Sequence, residues 1–378
     1  MNSSLCKKLG IEFPLFAFTH CRDVVVEVTN AGGVGVLGAV GHTPESLEID
    51  LKWIDEHVKG KPYGIDLLIP NNMTDKESTT TDAELEAHIP AEHRKFVEDL
   101  LEQHDISTDD LWTGEYDNRN SEYMREAGAL KLLDVAFNYP IKLFVNALGV
   151  PPKSIMERAK AKGILVGALT GAKEHAVKHA EAGVDILVAA GGEAGGHCGE
   201  VSTMVLIPEV LEAIEAYDNI DVLAAGGIVT GKQMAACMAM GAAGAWCGSV
   251  WLTTVEAETT PTIKQKMLEA TSRRTVRSRS RTGKPTRQLQ SAWSDAWGAE
   301  GAPSPLPMPL QGILSRPPMA KVDKLAESGH EGAKALAAYY VGQGVGLMNA
   351  EQSTKSVVYD FMQDYAEAVE RLSGTLED

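Results

Sequence analysis

The sequence predicts an α/β protein built as a (β/α)8 TIM barrel, and three observations carry that expectation. Eight short apolar runs recur along the 378 residues, stretches of helical periodicity lie between most of them, and glycines gather where the runs end. Continuous runs of Val, Ile, Leu and Ala, without polar alternation, are what strands buried on both faces require. Strands of that kind alternating with helices make a parallel sheet, and eight of them close into a barrel. Glycine supplies 36 of 378 residues, above the usual share of roughly 7%, as expected for a protein with many tight strand-to-helix turns.

The strand candidates are Leu15–Phe18, Val34–Leu37, Tyr63–Leu68, Ile141–Val145, Ile164–Ala168, Ile186–Ala189, Val222–Ala225 and Ala245–Cys247. Between them, apolar residues at helical spacing predict helices over Val24–Ala31, Pro44–Val58, Pro152–Lys162, Ala172–Ala182, Pro208–Tyr217 and Thr230–Met240. A barrel of this kind needs about 250 residues, so two insertions account for the excess. Residues 1–70 are expected to form the first part of the barrel. Residues 71–139, rich in Asp and Glu with a helical patch at Phe96–Leu101, form an acidic helical insertion after strand three. Residues 140–255 complete the barrel. Residues 256–320 carry a basic run from Arg273 to Arg287 and a proline-rich stretch, Pro303 to Pro309, and are expected to be a long loop after strand eight. Residues 321–378 are expected to pack C-terminal helices on the barrel, the last spanning Ala350–Leu372.

Charge narrows the function. With 35 Lys and Arg against 52 Asp and Glu the net charge is −17, so nucleic acid and an anionic membrane surface are repelled on average and neither is expected as a partner. No apolar stretch near the N-terminus is long enough for a signal peptide, and a cytoplasmic enzyme is expected. The five cysteines, Cys6, Cys21, Cys198, Cys237 and Cys247, are odd in number and scattered, the pattern of thiols and not of a disulfide framework or zinc site. The uncharged stretch from Met234 to Val255 is dominated by Ala and Gly and is expected to be a buried helix followed by a buried strand.

Four glycine motifs then locate the chemistry. Gly33-Val34-Gly35-Val36-Leu37-Gly38 fits a dinucleotide pattern, but a helix precedes it and the glycines fall inside a strand, so a helix end and a tightly packed strand are expected. Ala224-Ala225-Gly226-Gly227-Ile228 and Ala245-Trp246-Cys247-Gly248-Ser249 end strands seven and eight, whose C-terminal loops commonly form a phosphate site. A flavin phosphate or a phosphorylated substrate would suit both. The fourth motif, Ala190 to Gly199, follows strand six and carries His197 within a run of glycines that lets backbone approach a flat ligand. That delivers one imidazole to the barrel mouth, where a general base is its natural role. The other histidines, His88, His93 and His104 among them, fall mostly in polar stretches and are expected to be solvated.

Together these segments resemble the nitronate monooxygenase family, formerly called 2-nitropropane dioxygenases, over nearly the full length. The likeness rests on Asn30 to Gly35, Glu193-Ala194-Gly195-Gly196-His197, Ala225 to Ile228, Gly248-Ser249, Arg281 to Pro285 and Val341-Gly342-Gln343. It implies an FMN-dependent barrel oxidoreductase with His197 as catalytic base. It also implies that Gly195, Gly196, Gly226, Gly227, Trp246, Cys247, Gly248 and Ser249 surround FMN and that Thr170 lies near its ring system. The family's Asn after strand three is Asp66 here and its Gln before the glycines is Ala190; both positions are expected to contact flavin. Phe18-Thr19-His20 replaces the family's usual opening after strand one.

The reaction expected from this resemblance is oxidation of a nitronate, or of a nitroalkane deprotonated by His197, with O2. An FMN-dependent NAD(P)H reductase of an enoyl thioester or quinone is the alternative, and the basic run would suit an acyl-CoA phosphate. A further alternative is an inosine-monophosphate-dehydrogenase-like barrel using Cys198 as nucleophile, and a non-enzymatic binding barrel is the last. A small-molecule substrate and O2 are the expected partners, and a homo-oligomer is compatible with the reading.

Overall fold

The structure, a computed structural model, describes residues 1, 3–69, 82–113 and 126–376. Eight parallel strands close the barrel: β1 (Leu15–Thr19), β2 (Val34–Gly38), β3 (Gly64–Leu67), β4 (Leu143–Asn146), β5 (Leu165–Thr170), β6 (Ile186–Ala190), β8 (Asp221–Ala225) and β9 (Gly244–Cys247). They coincide with the eight runs read from the sequence. β9 returns to β1 with Trp246 opposite Phe16, which removes any free edge.

Strand alternation divides the apolar residues into two sets. Phe16, Val34, Val36, Leu143, Val145, Ile186, Val188, Leu223, Ala225 and Trp246 fill the lumen. Ala17, Leu37, Ile65, Leu67, Val166, Ala168, Leu187, Ala224, Ala245 and Cys247 face the surrounding helices and share one core with them. Both faces are dry, so the strands read as unbroken apolar runs. Gly35 shows why this chain needs glycine inside a strand: a Cβ there would lie 2.3 Å from the carbonyl oxygen of Val25 on the helix Arg22–Asn30. The Gly33–Gly38 motif is therefore a packing device, as its strand position implied.

Four sequence expectations need correction. The helix predicted from Pro208 spans Thr203–Ala213, with Pro208 inside it. Its start is set by Thr203, whose N–H and hydroxyl donate to Glu193 Oε2 at 2.8 and 3.0 Å, so the usual preference of proline for the first turn does not govern. Residues 71–139 are not all insertion. The helix Glu126–Ala136 buries Ala129, Leu132, Leu133 and Ala136 in the outer core and lies between β3 and β4 in the chain, so it is the barrel's third outer helix. Acidic composition further upstream masked its apolar face.

Residues 256–320 are not a long loop. They hold the helix Pro261–Glu269, a hairpin of β10 (Thr275–Ser278) and β11 (Thr286–Leu289), the helix Ala292–Trp297 and the beginning of the helix Leu310–Glu327. The hairpin escaped notice because its strands carry arginines. Those arginines are engaged: Arg277 pairs with Glu200 at 3.1 Å, and Arg287 Nε donates to the Gly192 carbonyl at 2.9 Å. Trp293 and Trp297 are buried, and the Trp297 ring meets Phe96 edge-on at 4.8 Å, joining this segment to the helix Ala91–Glu102. His93 lies in the same interface, buried and bonded to the Ser304 carbonyl at 3.0 Å, and His179 is buried on the helix Lys173–Ala182; neither is the solvated histidine its sequence context suggested. No helix among the described residues is long and apolar enough to cross a membrane.

The last helix, Thr354–Ser373, closes the outer ring by packing on the helix Gly231–Ala239. A Cβ on Gly231 would sit 1.8 Å from the Phe361 carbonyl oxygen, and backbone cannot rotate aside. Gly231→Ala is expected to destabilise the protein by about 3 kcal/mol, whereas Gly312→Ala, where the new methyl meets nothing within 4 Å, should be neutral or stabilise by about 0.5–1 kcal/mol. Denaturant midpoints of the two variants check this. Equal midpoints would contradict the close helix contact.

Candidate active site

Charged and polar groups gather at the C-terminal ends of the strands, where barrel loops carry function. The sequence after β6 turns back to form β7 (Gly196–His197), which pairs antiparallel with β11: Thr286 opposite His197 and Arg287 opposite Gly196. The excursion after β9 thus folds back over the loop of β6 and holds His197 at the mouth.

The glycines of that loop are used against protein. A Cβ on Gly191 would meet Thr203 N at 2.4 Å, one on Gly195 would meet Gly342 N at 2.8 Å, and one on Gly199 would meet the Gly171 carbonyl oxygen at 2.8 Å. Gly196 alone in this run has a left-handed φ of +73° with open space where a side chain would go. The sequence had suggested approach to a flat ligand for the whole run; the structure spends most of it on loop-to-loop contact.

Hydrogen bonds reinforce those contacts. Gln343 N donates to the Glu193 carbonyl at 2.9 Å, and Gly342 N donates to Ser249 Oγ at 2.8 Å, which ties the loops after β6 and β9 to the segment Val341–Gln343. Thr203 lies within 2.9 Å of the Gly226 carbonyl, joining the loop after β6 to the loop after β8. Gln233 Nε2 donates to the Gly227 carbonyl at 2.8 Å, while its Oε1 accepts from Val229 N and Thr230 N. Asn146, fully buried, does the same on the opposite rim: its side chain bonds both N and O of Ile69 and the carbonyls of Leu148 and Gly149. Thr203, Gln233 and Asn146 were not singled out from sequence, because an isolated polar residue beside an apolar run carries no signal of its own.

Gly226 and Gly227 have left-handed φ of +100° and +73°, which glycine alone adopts without strain. Gly248 and Ser249 follow β9, the neighbouring strand, so the two loops face one another across the rim.

Within the mouth, Trp246 and Ala190 are lumen-facing, whereas Cys247 belongs to the outer core, where burial raises its thiol pKa. Trp246 stacks between Phe16 and Phe18 at 6.3 and 6.0 Å. Phe18 in turn meets the His20 ring edge-on at 5.2 Å, and His20 Nδ1 lies 2.8 Å from the Gly38 carbonyl. The replaced motif after strand one therefore extends an aromatic column from the lumen to the rim. An open pocket of about 350 Å³ adjoins it, lined by His20, His42 and Asp50 among others. Thr170 shares the outward register of Val166 and Ala168; it is fully buried, and its hydroxyl has no hydrogen-bond partner.

Asp66 sits beside Gly38 and Val145 in register, so its carboxyl enters the lumen between Ile65 and Leu67, which face out. It is 2% exposed, and burial pushes its pKa well above the ordinary carboxylate value. His197 is exposed at the rim. The surrounding protein first, and the Lys284 ammonium second, lower its pKa, so the ring stays neutral toward lower pH than usual. Its Nε2 lies 3.0 Å from Thr282 Oγ1. Among the described residues no group of His, Cys, Asp and Glu could hold a metal ion.

A closed barrel whose seventh strand ends in paired left-handed glycines and whose sixth loop holds an imidazole at the mouth has the form of a barrel enzyme. Residues 2–364 match the family model described as nitronate monooxygenase, and the chain belongs to that family of oxidoreductases. A Mycobacterium tuberculosis protein named "Putative monooxygenase Rv1533" is 49% identical over 382 residues, covering the whole of both chains. A "Probable nitronate monooxygenase" of Staphylococcus haemolyticus is 28% identical over 331 residues, covering 83% of this chain and 85% of the relative. Among solved structures, nitroalkane oxidase from Streptomyces ansochromogenes superposes with a TM-score of 0.78 at 25% identity, over 98% of this chain and 100% of the other. FabK from Thermotoga maritima, with a TM-score of 0.69 at 23% identity and 99% of both chains covered, shares the fold. Cys198, half-buried beside His197, is given no role by this membership.

Asp66 makes a prediction about stability. A folded-state carboxyl pKa raised by burial means that the native protein holds its proton where the unfolded chain has lost it, so stability falls as pH rises from the ordinary carboxylate pKa toward the raised one. Asp66→Asn should therefore be more stable than the parent at neutral pH, and the difference should shrink as pH is lowered toward 4. Denaturant titrations at several pH values measure it. A difference independent of pH would mean that Asp66 is not held in the low-dielectric lumen.

Proposed function

We propose that the protein is an FMN-dependent nitronate monooxygenase that oxidises nitronates, and nitroalkanes after removal of their α-proton, with O2. The observation that carries the reading is His197, held on β7 by pairing with β11 and lowered in pKa at the mouth of a barrel of this family. The residues at the mouth fit a flavin mononucleotide. Gly226 and Gly227, in left-handed backbone after β8, adjoin Gly248 and Ser249 after β9, the pair of glycine turns that suits a phosphate. Gly196 and Ala190 leave the loop after β6 without bulk, Trp246 contributes the lumen-facing end of β9, and Asp66 supplies a polar group in the lumen, whereas Gly195, Cys247 and Thr170, expected near the flavin, are turned against protein.

FMN, when bound, supplies electron acceptance from the substrate carbon and return of those electrons to O2. The chain's own contribution is proton chemistry and orientation. The neutral imidazole of His197 accepts the α-proton of a nitroalkane and becomes cationic, leaving the nitronate anion beside a positive charge. A histidine whose pKa lies below the working pH is already in the accepting form. A substrate that arrives as nitronate needs only to be oriented.

His197→Asn should keep FMN, since the phosphate donors lie on other loops. Turnover of neutral nitroalkane should fall about a hundredfold or more, and turnover of pre-formed nitronate should fall much less. Steady-state rates on both substrates check this. Equal losses with flavin retained would make His197 a positioning group and not the base.

Gly227→Val tests the cofactor seat separately. The structure directs its new side chain toward Glu193 Cβ, 3.0 Å away, at a φ that valine resists. The loop should shift and flavin content should drop to a small fraction of the parent's, read from the absorbance of the purified protein. Full flavin content would place the phosphate elsewhere.

A further inference from the structure

Thr282 lies in the turn between β10 and β11, and its hydroxyl joins three groups. Oγ1 donates to the Lys284 carbonyl at 3.1 Å, accepts from the Lys284 N–H at 3.3 Å, and lies 3.0 Å from His197 Nε2. A hydroxyl has one proton and two accepting lone pairs, and a carbonyl can only accept. With the proton given to the Lys284 carbonyl and one lone pair taken by the Lys284 N–H, the remaining lone pair faces His197. All three contacts are satisfied together only if Nε2 carries a proton and donates it. If Nε2 were bare, it and the Lys284 carbonyl would compete for a single hydroxyl proton.

The turn is fixed on both sides of Thr282. Arg281 NH1 donates to the Ala338 carbonyl at 3.2 Å, and Ser315 Oγ donates to the Arg281 carbonyl at 2.6 Å. Arg279 Nε donates to the Gly283 carbonyl at 2.8 Å, and Gly283, at φ +84°, has Leu306 O only 2.4 Å from where a Cβ would be. The His197 backbone is fixed independently by its pairing with Thr286. His197 Nδ1 bonds to no described residue.

We propose that Thr282 is a positioning residue that holds neutral His197 as its Nε2–H tautomer and leaves Nδ1 as the atom that accepts the substrate proton. This rests on the reading of His197 as the base. In the reaction the C–H bond of the nitroalkane breaks, its electron pair stays on the substrate as nitronate, and the proton forms a new bond to Nδ1. The resulting imidazolium keeps its Nε2–H donated to Thr282 Oγ1, so the hydroxyl network does not reorganise during proton transfer. The orienting partner sets which nitrogen of the ring is basic.

The experiment is nitrogen NMR of the FMN-loaded enzyme with ¹⁵N-labelled histidine, the His197 signals being assigned by their absence in His197→Asn. At a pH where the ring is neutral, the protonated nitrogen should be Nε2 and the bare one Nδ1. Thr282→Val should mix or reverse the two, and Thr282→Ser should restore the parent pattern. In parallel, kcat on neutral nitroalkane should fall about tenfold or more in Thr282→Val, with turnover of pre-formed nitronate and FMN content little changed. A bare Nε2 in the parent enzyme overturns the proposal without any variant, and so does an unchanged tautomer in Thr282→Val. If His197→Asn leaves nitroalkane turnover intact, the base reading itself fails, an outcome distinct from either of these.

Discussion

The structure depends on the pairing of β7 with β11, two residues against two. The loop after β6 carries five glycines from Gly191 to Gly199 and has no conformation of its own to defend, since each glycine loses more backbone freedom on ordering than any other residue. It keeps its shape because three other segments close on it: β11 through His197 and Gly196, Val341–Gln343 through Glu193 and Gly195, and Thr203 through the Glu193 carboxylate. The glycines permit these contacts by admitting backbone at distances no side chain allows. An imidazole placed by so flexible a sequence is thereby held as firmly as one on a strand.

The barrel itself was legible because burial on both faces writes itself into composition. Each of the eight runs, from Leu15 to Cys247, shows the apolar continuity of a strand with core on both sides, and the paired glycines at 226 and 227 mark a turn that only left-handed backbone can make. The position of His197 at the barrel mouth was legible through its glycine context. What sequence could not show was the origin of the clamp. The hairpin Thr275–Leu289 carries Arg277 and Arg287 where an apolar alternation would have announced it, and their partners Glu200 and Gly192 are about 80 to 95 residues away in sequence. The helix Glu126–Ala136 was hidden for a related reason, its apolar face lying next to a long acidic stretch. Thr282 fell inside the Arg281 to Pro285 segment without a role, and Thr203, Gln233 and Asn146 drew no notice, because a positioning residue is defined by what it touches.

The mouth divides its tasks by depth. At the rim, desolvation by the enclosing protein and, second, the Lys284 ammonium lower the His197 pKa and favour the neutral, proton-accepting ring. Deeper in the lumen, Asp66 is held toward its protonated form by burial, so two titratable groups with pKa values displaced in opposite directions relative to their usual charge states are both biased to neutrality. Apart from the Lys284 ammonium at the rim, a site of this kind presents little fixed charge until the imidazole has taken a proton. The aromatic column of Phe16, Trp246, Phe18 and His20 supplies a flat apolar wall on one side of that space.

We expect this mouth to take electrons from a nitronate and pass them to O2. Anaerobic mixing of the flavin-loaded protein with nitronate, and separately with NADH and NADPH, followed by admission of air, tests it most directly. Rapid bleaching of the flavin by nitronate, none by either nicotinamide, and recovery of colour in air are the predicted results. Bleaching by NADH or NADPH with none by nitronate would instead make the protein a nicotinamide-dependent reductase built on the same barrel.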